Sequence, residues 1–462
     1  MLNTIQKIHF VGIGGAGMSA IAKVMAAQGY QVSGSDISPS DMLNKLQKDG
    51  VRIYVGHHRD NLGDDCQAIV VSTAIPETNP EVQAARERSL PVYHRSDVVA
   101  YLMESRQGIA VAGAHGKTTT TSMLALVLEK AGVDPTVLIG GELEFLGGNA
   151  KLGASSYLVA EADESDGSFV KFSPQMAIVT NIENDHMDYY HTMDNVLKAF
   201  RQFLGKLPPT GVAVLCFDNG HIRDIAENLD RRYISYALGR DADYMAKEIH
   251  PQGAFTMFDV YQREQRLGTV KLSVPGRHNV SNSLAVIAVG LEMGLEFSKI
   301  TEGLAVFQGA KRRFQTKGKI NGVWVVDDYA HHPTEIATTL EAALQTTPKR
   351  LICVFQPHRY SRTSLLRQEF GGAFKAADQL VLTDIYPAGE APIPGIDGET
   401  IKNEVVQQSG QPVTYVQDRN QLARYLADVV EPGDLVITMG AGNIYQAGEQ
   451  LVEKLEAKTN RK

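Results

Sequence analysis

The chain has 462 residues, more than one ordinary domain holds and enough for about three at roughly 150 residues each. Hydrophobic residues at 43 % and charged residues at 21 % are the proportions of a globular protein and exclude a disordered or fibrous chain. The formal charge of −8, with no basic block, excludes general nucleic-acid binding, so any phosphate must be met by local donors.

In chain order, short apolar runs first alternate with helical stretches. Strands are predicted at Ile8–Ile13, Gln31–Gly34, Arg52–Val55, Ala68–Ser72 and Val92–His94, with helical patterns at Met18–Gln28 and Ser40–Asp49. Such alternation signals a parallel sheet wound with crossover helices. A second series starts at Ile109–Ala112, passes through a helix ending at Lys130, and continues with strands at Tyr157–Ala160, Met176–Thr180 and Val212–Phe217. Tyr244 to Val274 reads as a small antiparallel section, and a helix is expected from Asn279 to Met293. A third series has strands at Val323–Val326, Leu351–Phe355, Leu380–Thr383 and Leu435–Met439, and Lys454 to Lys462 reads as a polar, frayed tail.

The expected fold is α/β in three domains. Residues 1–104 read as an N-terminal Rossmann-like domain, 105–310 as a central P-loop ATPase-type domain with a mixed sheet, and 311–462 as a C-terminal Rossmann-like domain. Cys66, Cys216 and Cys353 are too scattered for a disulfide framework or a zinc site and are expected to be small buried side chains. No run has membrane-spanning length and no signal peptide is visible, so membrane insertion is not expected and a cytoplasmic location is.

Gly113-Ala114-His115-Gly116-Lys117-Thr118 lies between an apolar strand run and a helical run, the context a phosphate-binding loop needs. Amides at the helix start would cradle an anion, Lys117 would reach the β- and γ-phosphates, and Thr118 would offer a hydroxyl to Mg²⁺. Glu161-Ala-Asp-Glu-Ser165 and Asn181-Ile-Glu-Asn-Asp-His186 each follow a strand run, where carboxylates and an imidazole suit a metal ion, or where capped turns are simply solvated. At the N-terminus, Val11-Gly-Ile-Gly-Gly-Ala-Gly-Met-Ser19 satisfies GxGxxG, with Asp36 at the end of the second strand. By motif alone this spells an NAD-binding fingerprint, yet the same glycine turn and helix start accept another diphosphate equally well.

Together, Gly113-Ala-His-Gly-Lys-Thr-Thr-Thr, Glu161-Ala-Asp-Glu-Ser-Asp, Asn181 to His186 and Gly276-Arg-His-Asn-Val-Ser-Asn282 stand in the order found in Mur ligases. The chain resembles that family over essentially its whole length. The resemblance implies a cell-wall precursor enzyme with a UDP-sugar domain, a central ATPase and an amino-acid domain. ATP and Mg²⁺ are then the expected cofactors. Gly113, Ala114, His115, Gly116, Lys117, Thr118 and Thr119, with His278, Asn279, Asn282, Arg313 and Asp328, are expected to hold ATP. Thr118, Glu161 and His186 are the implied metal ligands, and Lys117 and Arg313 would serve the transferring phosphoryl group. Relatives often carry Thr where this chain has Ala114, which removes a hydroxyl and leaves the backbone cradle.

Gly12 to Ser19 resembles the signature of the L-alanine-adding branch. Gly14, Gly15, Ala16, Gly17, Met18 and Ser19, with Asp36, His57, Ser72 and Thr73, are therefore expected around UDP-N-acetylmuramate, although His57 reads equally as a surface histidine. Asp327 to Thr334 and His358 to Thr363 resemble motifs that hold L-alanine. Arg359 and Arg362 suit its carboxylate, and His332 is either a catalytic group for the amine or a structural residue before proline. The expected reaction is ATP-dependent joining of L-alanine to the lactyl carboxylate of UDP-N-acetylmuramate through an acyl phosphate, with a weak homodimer allowed. The alternatives are the branch that recycles a whole tripeptide onto the same sugar and, more remotely, an NAD-dependent oxidoreductase or a nucleotide sensor.

Overall fold

The computed structural model describes Leu2 and residues 4–459. The chain divides into two compact units, one of Met1–Lys247, Asp259–Val270 and Ser281–Phe307, the other of Glu248–Phe258, Lys271–Val280 and Gln308–Lys462.

The first sheet is made of β1 (Lys7–Val11), β2 (Gln31–Asp36), β3 (Arg52–Val55), β4 (Ala68–Val71) and β5 (Val92–His94). All neighbours are parallel, in the order β3-β2-β1-β4-β5. This is the Rossmann order, and the winding reverses between β1 and β4. The glycine turn after β1 therefore lies at the crevice where such sheets bind ligands. Helix Ala16–Ala27 starts there without a side-chain cap, which leaves its first amides for something else.

The second sheet contains β6 (Gln107–Ala112), β7 (Thr136–Leu143), β8 (Gly148–Lys151), β9 (Tyr157–Glu161), β10 (Met176–Val179), β11 (Val212–Cys216), β12 (Arg232–Ala237), β13 (Tyr244–Gln252), β14 (Phe255–Gln262) and β15 (Gln265–Leu272). Their order is β15-β14-β13-β12-β11-β10-β6-β9-β7-β8. From β12 to β7 the pairing is parallel and β8 is antiparallel to β7, so this sheet is mixed. Strands β13 to β15 are neighbours joined by two-residue turns, a connection only antiparallel strands permit. Strand β6 is central and buried from Gly108 onward, which seats the loop that follows it on a rigid base.

The third sheet has β16 (Gln315–Ile320), β17 (Val323–Asp328), β18 (Arg350–Phe355), β19 (Gln379–Leu382), β20 (Val413–Tyr415) and β21 (Asp434–Met439). The order is β16-β17-β21-β18-β19-β20, parallel except at the β16 edge. The last strand is inserted between the second and third. Cores form on both faces, because successive residues of a strand point opposite ways. Val326, Cys353, Phe355 and Ile437 pack on one side, and Val325, Ile352, Val354 and Val436 on the other.

Several elements depart from the sequence reading. Strands β7, β8, β12, β16 and β20 were not predicted; β7 carries Gly140-Gly141 and a register irregularity, and β16 is a polar edge strand. The supposed frayed tail continues the helix Tyr445–Thr459, and 460–462 lie outside the described residues. Cys216 and Cys353 are buried as expected, whereas Cys66 is only half-buried. Among the described residues no helix is long and apolar enough to cross a membrane.

Candidate active site

In the first unit, β6 delivers the chain into Gly113-Ala114-His115-Gly116, and helix Lys117–Lys130 begins at once. Gly113 and Gly116 have φ of +132° and +84°. A Cβ at Gly113 would stand 2.2 Å from Thr180 Oγ1, and one at Gly116 2.8 Å from Asn282 Oδ1. Both positions thus require glycine by backbone and by space. The loop is tied down from β10: Ala114 N donates to Asn181 O at 3.1 Å and His115 N to Asn181 Oδ1 at 2.8 Å. Thr180 Oγ1 and Asn181 Nδ2 donate back to His115 O at 2.6 and 2.9 Å. The His115 ring lies 3.3 Å from Glu183.

Lys117 folds back over this loop, donating to Gly113 O at 2.7 Å and to Glu164 Oε1 at 2.8 Å. Burial opposes its charge, but Glu164, Asp163 and Glu161 outweigh burial and hold the ammonium above the usual lysine range. Lys117 is therefore a firm cation. Glu164 is 3 % exposed, and among the described residues its Oε2 has no hydrogen-bond partner. The His186 ring lies 3.7 Å from Glu164, on a backbone with φ of +56°. Thr118 Oγ1 donates to Glu161 Oε2 at 3.2 Å, and Gly140 N to the other oxygen of Glu161 at 2.8 Å. Thr119, half-buried, follows on the same first turn. The expected metal ligands Thr118, Glu161 and His186 thus stand around one loop, with Glu164 between Lys117 and His186.

On the first sheet, Gly14 N donates to Asp36 Oδ2 at 2.8 Å, and Gly12 and Ile13 donate their amides to Ser35 O. Asp36 and Ser35 accordingly fix the glycine turn. Met18 and Ser19 have buried side chains, so the Gly14–Ser19 segment offers mainly backbone. Asn149, from β8, donates to Ala16 O and Ser19 Oγ at 2.6 and 2.9 Å. His57 is a largely buried partner of Glu81 and not a surface histidine. Ser72 follows β4, and its carbonyl accepts from Ile75 N. Thr73 Oγ1 donates to Asp166 Oδ2 at 2.7 Å, and Arg95 pairs with Asp163 at 2.9 Å. These contacts run from the first sheet to the loop after β9.

The second unit holds the other expected residues. His278 and Asn279 open helix Arg277–Glu292, where Asn279 Nδ2 donates to Pro275 O at 2.7 Å. Burial, helped by Arg313, lowers His278 to about 4, so its ring is neutral at pH 7. Arg313 lies over the Tyr329 ring, 5.3 Å from its centroid, and 3.7 Å from Glu335. Asp328 accepts from Phe314 N at 2.7 Å and Ala330 N at 2.8 Å, which clamps the segment carrying Arg313. His332 caps helix Pro333–Leu344, its Nδ1 accepting from Thr334 N at 3.3 Å, so that nitrogen does the structural work expected of a histidine before proline. Arg359 is exposed on a backbone with φ of +71°, and Arg362 lies 3.3 Å from His358.

The chain matches the model described as Mur ligase family, catalytic domain, over residues 7–107; that of the Mur ligase middle domain over 111–290; and that of the Mur ligase, glutamate ligase domain, over 312–442. A protein of Pelotomaculum thermopropionicum named UDP-N-acetylmuramate–L-alanine ligase is 52 % identical over 452 residues, 98 % of either chain. The chain belongs to the Mur ligase family. Its fold is also that of the Thermotoga maritima UDP-N-acetylmuramate–alanine ligase, with TM-score 0.84 and 30 % identity over 98 % of this chain and 99 % of that one. The murein peptide ligase of Psychrobacter arcticus matches at TM-score 0.73 and 26 % identity over 97 % and 98 %.

In this Mur ligase, sequence reasoning passed over Arg95, Asn149 and Glu81, and gave no individual role to Asp163, Glu164, Asp166 and Asn181. These four stood inside the quoted motifs, and the signal for them was their place just past a strand end. Nothing local distinguished Glu164 from Glu161, because the chain leaves regular β structure between them and period-two reasoning stops there.

Proposed function

We propose that the chain is an ATP-dependent ligase that joins L-alanine to the lactyl carboxylate of UDP-N-acetylmuramate through an acyl phosphate. The observation that carries this is near-full-length likeness to a protein of that name, with the phosphate loop intact. In this reading residues 1–104 bind the UDP-sugar, 105–310 ATP and 311–462 the amino acid. The glycine segment Gly14–Ser19, with Asp36, His57, Ser72 and Thr73, serves the UDP-sugar. Gly113 to Thr119, His278, Asn279, Asn282, Arg313 and Asp328 serve ATP. Arg359, Arg362 and His332 serve the amino acid.

Attack of a carboxylate on a γ-phosphate brings two anions together, and positioned cations are the remedy. Lys117 is held charged over the loop by its carboxylates, and Arg313 is assigned the same task. ADP leaves as the acyl phosphate forms; the amine of L-alanine then displaces phosphate from the acyl group, giving up a proton to the solution, and no enzyme nucleophile is needed. The donor set suits a divalent ion: a hydroxyl, carboxylates, an imidazole and the unpartnered buried oxygen of Glu164. Mg²⁺ held by Thr118, Glu161, Glu164 and His186 would neutralise phosphate charge when bound. The proposal includes a cytoplasmic protein that self-associates no more than weakly, which sedimentation velocity would check.

The test is phosphate release from ATP and Mg²⁺ with UDP-N-acetylmuramate, comparing L-alanine, the tripeptide and no amine. Release that needs both the UDP-sugar and L-alanine is expected. Release with the tripeptide alone would move the chain to the recycling branch, and none in any mixture would end the ligase reading.

A further inference from the structure

Beneath the glycine turn of the first sheet lies a buried carboxylate that no role assigned so far uses. Glu81, on helix Pro80–Glu87, is 0 % exposed. Its partners come from several separate places in the chain. Ser35 Oγ, at the end of β2, donates to Oε2 at 2.6 Å. His57 Nδ1, after β3, lies 3.0 Å from the same oxygen. Asn61 Nδ2 donates to Oε1 at 2.5 Å, His58 N at 3.4 Å, and the buried His9 ring of β1 stands 3.8 Å away.

An ionised carboxylate only accepts hydrogen bonds, so Ser35, His57, Asn61 and His58 N, the groups within hydrogen-bond distance, must present hydrogen to it. Ser35 has one hydroxyl hydrogen and it points to Glu81. His57 Nδ1, 3.0 Å from both Ser35 Oγ and Glu81, must then carry its own. In the neutral ring Nε2 is left as a bare acceptor, and it has no partner among the described residues. The carbonyl of Ser35 takes the amides of Gly12 and Ile13 at 2.8 and 2.9 Å. Asn61, also held by Glu81, donates to Gly56 O at 3.0 Å, and Gly56 N donates to Asp36 O at 2.7 Å. One carboxylate therefore gathers the ends of β2 and β3 and the start of the glycine turn.

We propose that Glu81 is a positioning residue for the nucleoside end of the UDP-sugar, acting through Ser35 on the glycine turn and through His57 by fixing its ring as a hydrogen-bond acceptor. An acceptor there suits a ribose hydroxyl or the imide N–H of a uracil ring. The inference rests on the proposed placement of UDP-N-acetylmuramate on this sheet.

The experiment is steady-state kinetics and UDP binding by calorimetry on the full chain, wild type against Glu81→Gln. Glutamine keeps the shape but turns an NH₂ toward Ser35 and His57, so the hydroxyl and Nδ1 must accept, the ring hydrogen moves to Nε2 and the acceptor is lost. KM for UDP-N-acetylmuramate and Kd for UDP are expected to rise by about tenfold or more, with kcat and the KM values for ATP and L-alanine within about twofold. A merely structural defect moves all constants together, and that result, or an unchanged KM, overturns the proposal. If Glu81→Gln does not fold, Ser35→Ala serves instead, with an expected rise of about threefold in the same two constants; no rise overturns the proposal. Wild type that turns over but binds no UDP removes the placement on which this inference stands.

Discussion

At the scale of single residues, Lys117 and Glu164 show how a catalytic cation is kept ready in a buried place. Among the described residues Lys117 is the cation hydrogen-bonded to Glu164 and the one set over the phosphate loop, so Lys117→Ala is expected to abolish phosphate release. UDP binding should survive, because its proposed residues lie on another sheet; calorimetry checks this, and joint loss would count against the layout. Glu81 gives a pH prediction. Burial works to raise its carboxyl, but His9, Ser35 and Asn61 more than offset that and hold it down at about 2. The unfolded value is about 4.3, so this group's contribution, about 3 kcal/mol, is complete above that pH and fades as the pH falls towards 2. Urea unfolding at a series of pH values should therefore find the stability gap between wild type and Glu81→Gln narrowing as the solution is acidified from about 5 to 2. Arg312 makes a purely structural counterpart. It donates to Asp327, which is 0 % exposed, at 3.0 Å and to the carbonyls of Gly440 and Gly442. Arg312→Met should cost about 3–5 kcal/mol in the same assay by stranding a buried carboxylate.

At the scale of elements, the phosphate loop depends on where β6 ends and what β10 offers beside it. Gly113→Ala forces a positive φ on an alanine and drives its Cβ into Thr180 and the Asn181 backbone. Phosphate release should fall by about tenfold or more, with a lowered Tm. The loop was legible because its motif lies between a buried strand and a helix, and the strand ends carrying Glu161 and Asp36 were legible for the same reason. Strand β16 was not, since a polar edge strand has little apolar periodicity to read, and the paired glycines of β7 resemble a turn. The tethering of the loop by Asn181 could not be read either. It joins residues 66 apart through a backbone register that exists only once β6 and β10 are side by side.

At the scale of the whole molecule, three successive wound α/β segments could be read from alternation alone, and their strand orders could not. Order is decided by which strands bury each other's edges at long range, and nothing in residues 434–439 announces a central position. The Glu81 network was hidden likewise, because its members are spread from His9 to Glu81 and meet only after four strands are wound. The proposed division of tasks predicts that substitutions separate by substrate. Arg359→Ala should raise KM for L-alanine by about tenfold while KM for ATP stays within about twofold; equal effects would sink the assignment of Arg359.

The place of β21 has a consequence for biosynthesis. This strand lies between β17 and β18, so until Asp434–Met439 has left the ribosome these two strands have no neighbour to join them. Segments that come earlier, such as the first sheet, can settle while translation continues, whereas the third sheet waits for one of the latest strands to emerge. A released chain ending short of Asp434 should display this region as a protease-sensitive, chaperone-binding stretch, and one carried through the helix Tyr445–Thr459 should be resistant.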